Sequence, residues 1–127
     1  MLSAPFLIDT HILIWILSKL KRLASLSYLK GVSYCLLSPV SILELKFLEE
    51  CGRLSLDLKK IMKLLKQDEF FQMDDLSFED LCLQALDVSW TRDPFDWLLV
   101  AHSLLKGIPF ATCDRVILEN YKNCIKN

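Results

Sequence analysis

The sequence has few glycines and prolines and no paired cysteine motif. Only 3 glycines and 4 prolines occur among 127 residues, and no repeat, low-complexity tract or Pro/Gly/Ser-rich linker divides the chain. Its five cysteines show neither CxxC nor Cys/His spacing, which argues against a zinc site and against a disulfide framework. We therefore predict one domain spanning residues 1–127, located in a reducing cytoplasm.

Targeting and membrane-spanning segments are also missing. No basic region precedes the apolar residues 6–8, and the apolar run 12–17 is too short to cross a bilayer. The formal net charge is -1, so there is no overall basic field of the kind that attracts nucleic acid. The sequence therefore predicts no membrane partner, and any binding of nucleic acid must depend on local patches or on a metal.

Apolar residues are abundant: they make up 53% of the chain, and charged residues make up 24%. Short apolar segments predict strands at 6–8, 33–37, 69–73, 108–111 and 124–126. Helical patterns and caps predict helices at 12–17, 19–30, 40–50, 58–66, 78–86, 94–106 and 115–121. Strands that alternate with helices predict an α/β fold, with a central, mostly parallel sheet of about five strands and helices on both faces.

The segment from Trp90 to Asp114 carries the clearest local signals. Asp93 followed by Pro94 predicts a helix start, because a carboxylate accepts hydrogen bonds from free amides and proline fits the first turn. Gly107 ends the helix, and a short apolar strand leads to Asp114. Helix starts and carboxyl ends of strands converge on one crevice in an open α/β sheet, so the acids of this segment are predicted to lie close together.

Four carboxylates stand out by their context. Asp9 follows the first strand, Asp96 lies in a first helical turn, and Asp114 follows a late strand. Glu44 lies within a helix, between Val40 and Leu48 on an otherwise apolar stripe. No cation occupies a neighbouring helical position, so burial of Glu44 would be costly without a metal or a distant cation.

Helix capping is the alternative explanation for the aspartates, and taken singly each of them fits it. As a set they do not, because two carboxylates about 5 Å apart repel by about 3 kcal/mol at an effective dielectric constant near 20. Several such pairs would outweigh what caps contribute. A cluster of this kind favours Mg2+ or Mn2+, which take oxygen ligands and leave positions for phosphate oxygens and water.

Three segments carry a resemblance to a known family. They are LIDTHILIW at 7–15, SPVSILELKFLEECGRLSL at 38–56 and RDPFDWLLVAHSLLKGIPFATCD at 92–114. In order and spacing, over nearly the full length, the chain resembles the PIN-domain ribonucleases, and specifically the toxin half of VapBC-type toxin-antitoxin pairs. The resemblance implies a metal-dependent endoribonuclease that cleaves tRNA or ribosomal RNA, a cognate antitoxin protein and a homodimer.

The resemblance also implies which residues form the site. The family's four metal-site acids fall on Asp9, Glu44, Asp96 and Asp114, which are thereby both the catalytic residues and the ligands of Mg2+ or Mn2+. Supporting positions fall on the residues Thr10, Ser41, Asp93 and Thr112. Of these, Asp93 is a fifth candidate acid that we assign mainly to capping.

The chain departs from the family at two positions near these acids. Trp97 stands where many relatives have arginine, and Thr91 stands where histidine is common. Trp97 is open to two interpretations: it stacks on an RNA base, or it begins a buried helix as a core residue, and the apolar run behind it favours the second. Neither departure alters the four acids.

Other chemistries are less well supported. His11 and His102 lie in apolar helical segments, which disfavours histidine-based RNA cleavage, and Cys113 has no evident base to activate it. The lysines at 59, 60, 63 and 66 form one helix face, predicted to be a solvated surface, with contact to a phosphate backbone as the alternative.

Two competing functions remain for the whole domain. The alternative function is a catalytically inactive PIN-like binding or regulatory module, against which the intact acids argue. An aspartate-based phosphotransferase ranks last, because its second aspartate is replaced by His11.

Overall fold

The computed structural model describes residues 5–18 and 33–125. Five strands lie in this part of the chain: β1 (Leu7–Ile8), β2 (Cys35–Leu37), β3 (Phe71–Met73), β4 (Phe110–Ala111) and β5 (Cys124–Ile125). Six helices accompany them: α1 (Thr10–Ser18), α2 (Pro39–Glu50), α3 (Leu58–Gln67), α4 (Phe78–Ala85), α5 (Pro94–Lys106) and α6 (Arg115–Asn120). The helix predicted at 19–30 lies outside the described residues.

The five strands form one sheet in the order β3-β2-β1-β4-β5. Every pairing is parallel, with Leu7 opposite both Leu36 and Phe110 in the register of the central strands. The prediction of a parallel sheet of about five strands is therefore confirmed. Parallel strands are joined by crossovers, which explains why the chain places a helix between most successive strands.

Two hydrophobic clusters cover the two faces of the sheet, because successive strand residues point to opposite sides. Ile8 belongs to the first cluster together with residues of α1 and α3, whereas Leu7 belongs to the second together with residues of α4, α5 and α6. On the neighbouring strands, Cys35 of β2 belongs to the first cluster and Phe110 of β4 belongs to the second. The prediction that helices cover both faces of the sheet is thus confirmed. All residues of β1 and β4 are buried.

Most predicted helix starts are confirmed by their caps. Ser38, Asp57, Ser77, Asp93 and Asp114 each occupy the N-cap of a helix, with the side chain accepting a backbone amide. At the end of α5, Gly107 has the left-handed conformation, with φ 65°, that favours glycine.

The predicted strand at 108–111 is longer than the observed β4. The amide of Ile108 donates to the carbonyl of Ser103 at 3.2 Å, so Ile108 still belongs to the C-terminal turn of α5. Pro109 has no amide hydrogen to contribute to a ladder. Pairing therefore begins only at Phe110.

Helix α3 is amphipathic, as predicted. Its buried residues are Ile61 and Leu65, and the lysines at 59, 60, 63 and 66 are exposed. Within residues 5–18 and 33–125, no helix has the length and apolar character needed to cross a bilayer.

The order of the strands locates the crevice. The chain passes from β1 outward to β2 and β3, and then returns to place β4 on the other side of β1. Ligands of open α/β sheets bind where the strand order reverses, beyond the carboxyl ends of the strands. In this protein that place lies at the ends of β1 and β4, which are followed by Asp9 and by Thr112 to Asp114.

Candidate active site

Asp9 leaves the carboxyl end of β1 and is almost fully buried, with 4% of its surface exposed. Its amide donates to the carbonyl of Ala111 at 2.9 Å, which continues the pairing of β1 with β4. Its Oδ2 accepts a hydrogen bond from the hydroxyl of Thr112 at 2.6 Å. The carboxylate of Asp9 is thus oriented by a residue of the neighbouring strand end.

Asp114 lies next to this pair. Its amide donates to Thr112 Oγ1 at 3.0 Å, so Thr112 connects Asp9 to Asp114. The carboxylate of Asp114 also caps α6, and both capping bonds, from the amides of Val116 and Ile117, fall on Oδ1. Capping and metal binding are therefore compatible here, because the cap uses only one of the two carboxylate oxygens.

Glu44 lies in the second turn of α2, on the same buried face of the helix as Val40 and Leu48. It is 4% exposed, and its Oε1 has no hydrogen-bond partner among the described residues. Burial raises the pKa of Glu44, the hydroxyl of Thr10 lowers it, and the charge of Asp9 raises it again. Glu44 is therefore a buried acid that faces another acid with little compensation.

Thr10 and Ser41 lie beside Glu44. Their hydroxyl oxygens are 2.8 Å apart and share a buried hydrogen bond that joins α1 to α2. The three predicted supporting hydroxyls thus all lie next to predicted acids: Thr112 on Asp9, and Thr10 and Ser41 at Glu44.

Asp96 is half-buried in the first turn of α5, which Asp93 caps by accepting the amide of Phe95 at 2.9 Å. Burial, together with smaller effects of the charges of Asp93, Asp9, Asp114 and Glu44, raises the pKa of Asp96 to about 7. Acids from four separate segments of the sequence thus act on one carboxyl group. The negative charges of these four acids all disfavour the ionised form of Asp96.

His11 is the residue whose surroundings the sequence did not reveal. It lies in the first turn of α1, but it is exposed, and its Nδ1 is 3.9 Å from Asp9 Oδ1. The neighbouring carboxylate of Asp9, with smaller effects of Glu44 and Asp114, raises the pKa of His11 to about 9 against the opposing effect of burial. Its position two residues after Asp9, at a helix start, was the available signal.

A pocket of about 260 Å³ opens at this end of the sheet. It is lined by Asp9, His11, Trp15, Cys113 and Asp114. In the part of the chain that the structure describes, no three His, Cys, Asp or Glu side chains lie close enough together to hold one ion. The donor set nevertheless fits a hard cation, because it consists of carboxylate oxygens and includes a buried oxygen without a partner.

The remaining sequence candidates lie elsewhere. Trp97 packs with the second hydrophobic cluster, and its indole N–H donates to the carbonyl of Thr91 at 2.6 Å, which agrees with a core role. His102 is fully buried and hydrogen-bonded to Asp74 at 2.8 Å. Burial lowers the pKa of His102. His102 therefore has a structural partner that no spacing in the sequence indicated.

The fold and the site together define a parallel α/β domain with acids gathered at its topological switch point. The family model described as "PIN domain" matches residues 6–123, and the chain accordingly belongs to the PIN-domain family. A solved structure, a toxin-antitoxin complex from Klebsiella pneumoniae, shares the fold with a TM-score of 0.69 and 15% identity, covering 95% of this chain and 96% of that one. No curated protein matches the chain.

Proposed function

We propose that this protein is an endoribonuclease that depends on Mg2+ or Mn2+ and hydrolyses RNA phosphodiester bonds. The proposal is carried by Asp9 and Asp114, which line one pocket at the ends of β1 and β4, and by the electrostatic coupling of Glu44 and Asp96 to them. Among the described residues, no lysine or arginine forms an ion pair with any of these four acids. Among the described residues their cationic neighbour is His11, beside Asp9. Carboxylates with so little positive charge around them are an arrangement that a divalent ion stabilises.

The residues of the candidate active site would have different roles in this reaction. Asp9, Glu44, Asp96 and Asp114 would hold the ion, with Thr112 orienting Asp9 and the hydroxyls of Thr10 and Ser41 supporting Glu44. When bound, the ion lowers the pKa of a water molecule and neutralises charge on the scissile phosphate. Hydrolysis of this kind needs no side-chain nucleophile and leaves 5'-phosphate and 3'-hydroxyl ends. Asp93 contributes by capping α5 and so by placing Asp96.

Purified protein is expected to cleave tRNA or ribosomal RNA with Mg2+ or Mn2+ and to be inactive in EDTA, because the carboxylates alone do not activate water. Gel analysis of the products with end-labelled RNA would show both the cleavage and the end groups. Absence of cleavage in either metal, with folded protein, would instead favour an inactive PIN-like binding module.

We further propose that the nuclease is the toxin of a type II toxin-antitoxin pair, acting in the cytoplasm. The fold shared with a chain of a toxin-antitoxin complex supports this. The five cysteines show no CxxC or Cys/His spacing, which agrees with a reducing compartment. Exposed apolar side chains support an interface of the kind a homodimer or an antitoxin needs: on α2, Leu43 is 58% exposed and Phe47 is 49% exposed.

Expression of the protein alone is expected to slow or stop growth, and the product of an adjacent gene should relieve the effect. We expect that partner to place a basic side chain, most favourably arginine, among the acids, since a guanidinium bridges carboxylates and replaces the charge of a metal. Growth curves and co-purification would measure both effects. A chain that is harmless at high expression with its acids intact, and that binds no product of an adjacent gene, would contradict the toxin assignment.

A further inference from the structure

Trp15 lines the pocket of the candidate active site, together with His11, Cys113 and the acids Asp9 and Asp114. It lies one helical turn after His11 on α1, and residues four positions apart share a helix face. On its inner side the half-buried ring packs against the first hydrophobic cluster. Part of its surface thus contributes to the core, and part borders the space beside Asp9 and Asp114.

The described residues that line this pocket include no lysine or arginine that could bind the phosphates of RNA. Proteins usually bind nucleic acid through lysine and arginine contacts to phosphates, but the net charge of this chain is -1 and the pocket is lined by carboxylates. Contacts that do not depend on positive charge would add binding energy at such a pocket. Stacking of bases on aromatic side chains is such a contact, and it is used by proteins that bind single strands.

We propose that Trp15 stacks on an RNA base beside the scissile phosphate. The proposal rests on the nuclease function proposed above. His11 lies between Trp15 and the acids on the same face, roughly 6 Å along the helix axis from Trp15. Trp15 is thus a substrate-binding residue and takes no part in proton transfer.

The first test compares Trp15→Leu, which keeps an apolar side chain, with Trp15→Phe, which keeps a ring. Binding of a labelled oligoadenylate is measured by fluorescence anisotropy with Ca2+, under conditions in which gels show the RNA intact. We expect the Kd to rise about 5- to 150-fold in Trp15→Leu and much less in Trp15→Phe. The matched control is Trp90→Leu, because Trp90 is also half-buried but packs against the second cluster, away from the pocket. Its Kd should be unchanged.

The second test changes the RNA, which keeps the proposal testable even if Trp15→Leu folds poorly. Oligonucleotides that lack one base at successive positions should show one position where wild-type protein loses affinity. At that position Trp15→Phe should lose part of the same affinity, and Trp15→Leu should lose none further, because the stacking partner is already absent. Equal losses in all three proteins, or no sensitive position in the wild type, would overturn the proposal. Failure of the nuclease function would be seen separately, as binding without cleavage in Mg2+ or Mn2+.

Discussion

Replacing Asp96 with asparagine is expected to abolish RNA cleavage while leaving the fold intact or more stable. Asparagine retains the size and polarity of the side chain but lacks the charge that a hard cation requires. Loss of several kcal/mol of transition-state stabilisation corresponds to a rate decrease of roughly 100-fold or more. Stability should not fall, because burial and the charges of four other acids raise the pKa of Asp96 to about 7, so its ionised form is unfavourable in the folded protein. Cleavage assays and thermal melts without metal would measure the two effects.

Asp9→Asn, Asp114→Asn and Glu44→Gln are likewise expected to lose RNA cleavage without losing stability. Asp114→Asn tests it most directly, because asparagine caps a helix about as well as aspartate and α6 should keep its cap. Glu44→Gln should stabilise the metal-free protein, since a neutral amide is less costly to bury than a carboxylate.

Asp93 supplies the internal control for these variants. Its Oδ1 accepts the amide of Phe95, so Asp93→Asn should keep substantial activity, whereas Asp93→Ala should lose about 1 kcal/mol of stability with the cap. If all five amide variants cleave RNA at near wild-type rates with metal present, the carboxylates are structural and the nuclease proposal is wrong.

Without metal, the protein is expected to lose stability as the pH rises from 5 to 8. The folded state holds the proton of Asp96 up to a pKa of about 7, whereas the unfolded chain releases it near the ordinary value of 3.8. The folded state therefore binds more protons between these values, and its free energy of unfolding decreases as the pH rises through them. We expect a decrease on the order of 1 to 2 kcal/mol after allowing for solvent screening.

Mg2+ or Mn2+ should reverse this loss, because the ion binds the folded state alone and competes with protons for the carboxylates. A metal concentration 100 times the Kd adds about 2.7 kcal/mol. The increase in melting temperature should be largest at pH 8 and smallest at pH 5. Scanning calorimetry or fluorescence melts across this range would show it.

Variants separate Asp96 from the histidines in this experiment. His102 acts in the opposite direction, since its lowered pKa makes the folded state lose stability as the pH falls through about 6.5. His11 acts in the same direction as Asp96, since its raised pKa makes the folded state lose stability as the pH rises from 6.5 to about 9. The difference between wild type and Asp96→Asn removes both contributions, because both proteins contain His11 and His102. Asp87→Asn, an exposed acid after α4, should leave the pH dependence and the metal effect unchanged. A melting temperature that does not respond to millimolar Mn2+ at pH 8 would argue against the metal site.

Local sequence signals predicted most of the elements correctly, because caps and periodicity act over a few residues. Ser38 followed by Pro39, and Asp93 followed by Pro94, begin α2 and α5 where expected. The alternation of apolar strands with helices was enough to predict a parallel sheet covered on both faces. The predicted strand at 108–111 was too long because Ile108 is held by the end of α5, a contact that an apolar run does not reveal.

The sequence by itself determined the set of acids and the order of the elements that carry them. Only the tertiary structure decided their relations, because these depend on residues far apart in the chain. Thr112 donates to Asp9 across 103 positions, Thr10 meets Ser41 across 31, and His102 meets Asp74 across 28. The exposure of His11, the core packing of Trp97 and the place of Trp15 beside the acids follow from how α1 and α5 lie against the sheet. Side-chain periodicity predicts which face a residue occupies, but the packing of whole elements decides what that face meets.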